Sequence, residues 1–480
     1  MALFKGLFKT FFAIDRHERL KVFFLSVMYC LIVAFYTISK EFKDSIFMNI
    51  VGRSYVPKAK FLVFFVLIPV IIFYSKLVDK LRRYQLLIFF TTLFGVLGLI
   101  FTMYLGHPTI GLPNTNQSPY RLFGWLLYFF IEGFSPFVLS VFWAFVNSIN
   151  SPDSAKKNYG PLVSGSKIGG MLSAGTAWFF LSSSRFSSGG LASDVFNHQV
   201  ILGVASVLLL LVPIVTIVFM KRVSGRYLHG YEAAYQHEKQ KSKEGKVKTG
   251  IFAGLMMLLN YPYVLGIFGM VYFYEVIHAV LSYMRLGVAE SISVSISQTS
   301  AFLLQVNFKM QCMGFLISLF GTGALLNRLG LRICLLLIPS FTGLLLCYLI
   351  FSHNSSAAVI YAFIAIKSLN YAFSWPVREG LYIPTVKEIK FKSKSWIDAF
   401  GSKFAKTSGS AFNILASKLG SGFFLPVHAI FFASATIIWF LTAMLLGRRY
   451  DRAVMDNEVI GAEEEEKEEE GVATSSNKLA

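Results

Sequence analysis

Apolar runs long enough to cross a lipid bilayer recur twelve times along this 480-residue chain. A bilayer core about 30 Å thick asks for roughly 20 apolar residues per helix. The runs are Val22–Ile38, Phe61–Ser75, Gln85–Leu105, Leu122–Ile149, Pro161–Leu181, Val200–Met220, Tyr261–Tyr283, Met310–Leu326, Ile333–Phe351, Ala357–Trp375, Ile397–Ser417 and Leu425–Leu446. Charged residues make up 15% of the chain against about 25% in soluble domains, too few to coat a water-exposed surface of this size. The expected fold class is an all-α membrane protein. The fourth run is long, and Pro136 within it predicts a bend.

The formal charge of +19 does not call for a nucleic-acid partner, because the bases sit in the gaps between apolar runs. With both termini cytoplasmic, most of the 45 Lys and Arg fall on the inner side, as the positive-inside rule requires. The expected location is a multi-pass cell (inner) membrane, with the lipid bilayer as partner. The basic loop Lys221–Gly250 divides the spans six and six. The expected organisation is an N-terminal bundle over 1–220, a basic linker over 221–250, a C-terminal bundle over 251–450 and a disordered acidic tail over 451–480. Residues 285–309 read as an outside stretch, in part amphipathic. The four cysteines all lie in apolar runs and read as buried free thiols rather than a disulfide or zinc framework. No metal, cofactor or P-loop pattern is present, and no nucleophile–base motif points to an enzyme.

A short pattern occurs at the same place in each six-span half. Lys76-Leu77-Val78-Asp79-Lys80-Leu81-Arg82-Arg83 lies between spans two and three, and Gly323-Ala324-Leu325-Leu326-Asn327-Arg328-Leu329-Gly330-Leu331-Arg332 between spans eight and nine. Both resemble the inter-helix turn signature of the major facilitator superfamily. That resemblance implies two six-helix halves with a substrate site near the midplane, and a carrier of this kind needs no second copy to function.

Ionisable residues inside spans are expensive and usually face a bundle interior or a water-filled cavity. Here they are Lys43 with Asp44 at the end of span one, Glu132 in span four, Lys167 in span five, Glu275 and His278 in span seven, Lys367 in span ten, and Lys403 and Lys406 in span eleven. Arg378, Glu379, Lys392, Lys394 and Asp398 crowd the junction of spans ten and eleven. Basic groups outnumber acidic ones in this set. An anionic guest would neutralise them, and phosphate suits lysine well. Glu132 and Glu275 would pair with lysines, contact an amine or ribose hydroxyl, or carry a proton. Gly165, Gly169 and Gly170 read as a packing face, and Tyr272-Phe273-Tyr274 as packing rather than a base-stacking platform.

Several segments, in order, resemble the ATP/ADP translocase family of obligate intracellular bacteria and plastids. They are Phe35–Ser45, Glu132 with Leu139-Ser140 and Phe142–Asn147, Ala155–Tyr159, Tyr371–Pro384, and Lys392–Asp398 with Lys403–Gly409. The resemblance implies a nucleotide carrier. Lys43, Glu132 and Lys394 would stand at the family's charged contacts, with Asn147 and Lys167 as further substrate-binding positions. Lys43, Arg378 and Lys394 would hold phosphate, while Glu132 and Glu275 gate or tune it. The family's span-seven glutamate falls on Ser282, near Arg285, and Glu275 two turns earlier is a candidate replacement. The alternative is a proton-coupled symporter of another organic anion or phosphorylated metabolite, with Glu132, Glu275 and His278 carrying protons.

Overall fold

The computed structural model describes residues 16–150, 152–183, 190–223, 253–320, 322–386, 389, 393–419 and 424–461. The described residues are overwhelmingly helical, and their one extended pairing is an isolated bridge between Thr385 and Ile460. Twelve helical elements matter here. They are α1 (Arg16–Ile50), α2 (Val56–Lys80), α3 (Arg83–Leu105), α4 (Leu122–Ile149), α5 (Pro152–Ser182) and α6 (Gly190–Arg222). Then come α7 (Pro262–Ile292), α8 (Ile296–Phe320), α9 (Thr322–Phe351), α10 (Ser356–Gly380), α11 (Lys394–Trp396, Ile397–Gly401 and Ser402–Ala416) and α12 (Phe424–Met455). Among the described residues, eight of these are long and apolar enough to cross a membrane: α1, α3, α4, α6, α7, α9 from Arg328, α10 and α12. The basic loop 224–252 and the Glu463–Glu470 run lie outside the described residues.

Two compact units emerge from the contacts: residues 1–247 with 286–312, and residues 248–285 with 313–480. In the first, α1 is packed against α5, α6 and α4. Small residues make the α1–α5 approach possible. A Cβ on Gly169 would lie 2.5 Å from the Cys30 carbonyl, and one on Gly165 would lie 3.1 Å from the Ser26 carbonyl, so the glycines form the expected packing face. In the second unit α9 packs along α12 and α10.

Residues 285–309, expected as an outside and in part amphipathic stretch, are helical apart from a short connection. α7 runs on to Ile292, a three-residue connection follows, and α8 starts at Ile296. Ser297, Ser300 and Asn307 are buried. Asn307 Nδ2 and Ser300 Oγ are matched inside the protein, by Glu41 and by His198 with Ser45. Cys334 is buried, Cys30 and Cys312 are half-buried, and Cys347 is exposed on α9, where an apolar span presents it outward.

At Pro136, where a bend was expected, α4 passes through a π turn over Ser135–Leu139. Proline lacks the N–H and crowds the carbonyl four residues back, so the helix widens locally. α10 repeats the device, with a π turn over Asn370–Ser374 directly before Trp375-Pro376. The paired turns also behave differently in detail. Before α3 the chain passes through extended Leu81 and Arg82, which need no glycine, and Arg83 donates to the Ala144 carbonyl at 3.1 Å. In α9 the break is at Gly330, with φ 73° and ψ 169°, a conformation open essentially to glycine alone, and Arg332 meets Asp451 at 3.2 Å.

Candidate functional site

In the first unit the site is built on α1 and α4. Tyr128 and Glu132 stand four residues apart on α4, hence on one face. Both meet the ammonium of Lys43. Its Nζ lies 2.6 Å from Glu132 Oε1 and 4.3 Å from the centre of the Tyr128 ring. Asp44 Oδ1 is 3.2 Å from the same nitrogen. Lys43 is 2% exposed and Asp44 3%, whereas the Glu132 side chain is 23% exposed. The cation is thus enclosed and the carboxylate is its open side. Anything reaching Lys43 competes with Glu132.

A second polar layer continues toward the end of α1. Glu41 is fully buried and accepts a hydrogen bond from Asn307 Nδ2 at 2.7 Å. His198 is fully buried too, and its Nδ1 lies 2.7 Å from the Asp194 carbonyl. A carbonyl can only accept, so Nδ1 carries a proton and donates to it, while Nε2 lies 2.8 Å from Ser300 Oγ. Ser300 and Ser45 share the next hydrogen bond at 2.7 Å. Sequence reasoning passed over His198, Ser300 and Asn307. The signal was present in the spacing of Glu41 and Ser45, one turn apart on α1.

In the second unit, Lys394 Nζ reaches Glu379 Oε2 at 2.6 Å, and the Tyr382 ring lies 5.7 Å away. Both partners are about one-third exposed. Arg378 is on the same short helical stretch as Glu379, and its Nη1 is buried with no hydrogen-bond partner among the described residues. Asp398 feels the charges of Lys394, Arg378 and Glu379. Of the expected junction residues, Lys394 and Glu379 are brought together as an ion pair. Lys392 lies outside the described residues.

Glu275 is paired with Lys406 of α11 at 3.6 Å. Deeper in this unit, Phe363 of α10 is approached by three basic groups. The Arg285 guanidinium lies 4.5 Å from its centre, Lys367 Nζ 5.0 Å and the His278 ring 5.5 Å. Arg285 and Lys367 are 2% and 3% exposed. Ser282, at the place of the family's glutamate, is buried one turn before Arg285. Of the remaining candidates, Lys167 is half-buried on α5, and Asn147 is exposed on α4 beyond its π turn.

The arrangement can hold an anion that displaces a carboxylate from a lysine. The comparisons with known proteins bear on what that anion is. The profile of the TLC ATP/ADP transporter family matches residues 2–450. The ADP,ATP carrier protein 3 of Rickettsia felis is 24% identical over 446 residues, covering 83% of this chain and 87% of the relative. The ADP,ATP carrier protein 1 of Chlamydia pneumoniae is 23% identical over 483 residues, covering 91% and 92%. Among solved structures, a D-xylose-proton symporter superposes with a TM-score of 0.59 at 13% identity, covering 89% of this chain and 96% of its own. A bacterial homologue of the iron transporter ferroportin, in an inward-facing state, gives 0.57 at 15%, covering 90% and 98%. These solved structures share the fold, and with the family match over nearly its whole length the chain belongs to the TLC ATP/ADP transporter family.

Proposed function

We propose that this protein carries nucleotides across a membrane by alternating access, as an ATP/ADP-type exchanger or a nucleotide uptake carrier. The observation that carries the reading is the enclosed Lys43–Glu132 pair at 2.6 Å, in the middle of apolar helices. A buried cation stripped of its partner is costly. Lys43 therefore keeps a carboxylate when the site is empty and exchanges it for a phosphate when cargo arrives. Arg378 and Lys394 supply the same service in the second unit. There Glu379, about one-third exposed, is the group to be displaced. Lys is a point charge for phosphate and Arg a planar fork, so Arg378 with Lys394 suits a phosphate chain better than a single carboxylate. Two six-helix halves, twelve crossings, cytoplasmic termini, an inner-membrane location and monomeric action complete the proposal.

The named relatives, ADP,ATP carriers of Rickettsia and Chlamydia, support nucleotide cargo. Proton symport of another anion draws no specific support, because Glu132 and Glu275 are each engaged by a lysine. The test is uptake of labelled ribonucleoside di- and triphosphates by bacterial cells expressing the protein. Saturable uptake that Lys394→Gln abolishes is the expected result. Absence of saturable uptake for all of them would overturn the reading.

A further inference from the structure

Helices α7 and α11 lie side by side in the second unit, and their facing surfaces change character along their length. At one end they touch. A Cβ on Gly409 would lie 2.7 Å from both the Val276 carbonyl oxygen and Ala279 Cβ. Toward the other end the contact is made by rings. Phe268 is 6.3 Å from Trp396 and 5.7 Å from Tyr272, Tyr272 is 6.0 Å from Phe404, and Trp396 is 6.2 Å from Phe400 with the planes 27° apart. Gly401 leaves room for this, because a Cβ there would lie 2.8 Å from the Phe268 ring.

A ring stripe on a membrane helix is ordinarily turned to lipid. Charge argues against that here. Trp396, Phe400 and Lys403 follow at helical spacing and share a face. Lys406 stands one turn beyond Lys403, 40% exposed in its side chain, and is paired with Glu275. Glu275 in turn shares a face of α7 with Tyr272 and Phe268. Lys406 and Glu275, 40% and 17% exposed in their side chains, are charges that within a span face a bundle interior or a water-filled cavity rather than hydrocarbon, which argues that the face they share with the rings is wet. Yet Phe404 is 50% exposed on it, and Phe268, Tyr272, Trp396 and Phe400 are only partly covered. Half-covered aromatic rings beside cations on an aqueous face match the two ends of a nucleotide: rings for the base, ammonium groups for the phosphates.

We infer that Trp396, Phe400, Phe404 and Tyr272 form the surface on which the nucleobase of the cargo stacks, with Lys403 beside it on the phosphate side. This rests on the nucleotide reading above and adds where the base is held. It also separates the Tyr272-Phe273-Tyr274 run. Tyr274 is 4% exposed and stacked on His278, so it is packing, while Tyr272 belongs to the stripe. Because any base has a stacking face, discrimination among bases on this surface is weak.

The experiment uses the purified full chain in liposomes and measures half-saturation for labelled ATP and inhibition of its uptake by inorganic tripolyphosphate. Trp396→Leu and Phe404→Leu keep apolar bulk and remove the ring. Each is expected to weaken ATP about tenfold, within the range for losing one base–aromatic stack, while inhibition by tripolyphosphate, which has no base, stays unchanged. Trp396→Phe and Phe404→Tyr restore the ring and are expected to recover ATP affinity. If ATP and tripolyphosphate weaken together, or if the leucine variants transport as the unaltered protein does, the stripe is packing and the inference fails while nucleotide transport stands. If the unaltered protein takes up no nucleotide, the functional reading falls and this inference with it.

Discussion

Replacing Glu132 by Gln removes the closest partner of Lys43 and little else. The amide keeps the shape of the side chain, so packing against α1 is preserved. The ammonium, 2% exposed, is left with Asp44 at 3.2 Å and the face of Tyr128 at 4.3 Å. Breaking a buried ion pair costs about 3–5 kcal/mol. Here Asp44 remains and Glu132 is partly open, which places the loss at roughly 3 kcal/mol, the low end of that range. Lys43→Met removes the other partner and leaves Glu132 on its open side. If the two groups are bound to each other, the double variant is destabilised by less than the sum of the single variants, with a coupling of about 2–3 kcal/mol. Equilibrium unfolding in mixed micelles measures all four corners of this cycle. Additivity to within about 0.5 kcal/mol would refute the reasoning, because it would mean that the 2.6 Å contact carries no energy.

Lys394→Gln gives the opposite profile: its pair with Glu379 is about one-third exposed, so stability changes by no more than about 1 kcal/mol while nucleotide uptake is lost, and a collapse in unfolding midpoint would count against it. Gly330→Ala introduces a side chain at φ 73° and ψ 169°, where no neighbour lies within 4 Å; the cost is conformational, about 1–3 kcal/mol, and unfolding titrations should show it. Gly169→Ala drives a Cβ to 2.5 Å from the Cys30 carbonyl, so purified yield and unfolding midpoint should both fall, whereas Gly203→Ala meets Thr102 at an ordinary 3.5 Å and is expected to be silent. Arg121→Ala frees the carbonyls of Ile110, Gly111, Asn114 and Asn116 that its guanidinium now ties together; protease cutting within 106–121 should speed up, and an unchanged rate would show that the loop is held by other contacts.

How much of this was readable from the chain varies with what each residue needs. The helices were legible because a lipid-facing stretch has to be apolar along its whole length. The pairing of Glu132 with a lysine was legible in kind, since an acid in a span asks for a cation. That the cation is Lys43 follows from α1 and α4 lying side by side, which periodicity does not state. Residues 285–309 read as in part amphipathic, and what the sequence hid is that the polar Ser297, Ser300 and Asn307 are buried. In the fold Glu41 takes Asn307, and His198 with Ser45 takes Ser300, and these matches connect positions far apart in the chain. Glu275 was open to pairing with a lysine or to replacing the acid missing at Ser282, and the structure pairs it with Lys406, a partner the sequence does not single out. The ring stripe of α7 and α11 was hidden for the same reason. Tyr272 stood out within a run of three aromatics, but its partners Trp396 and Phe404 come from another helix.

The account stands on one chemical exchange, a carboxylate leaving Lys43 so that a phosphate can take its place. Liposomes loaded with ADP and presented with labelled ATP measure it directly. Rapid, saturable entry of label, slowed severely by Lys43→Gln and by Lys394→Gln, is what the account expects. Entry that proceeds equally well without either lysine, or no entry at all from a folded and correctly inserted protein, would contradict it.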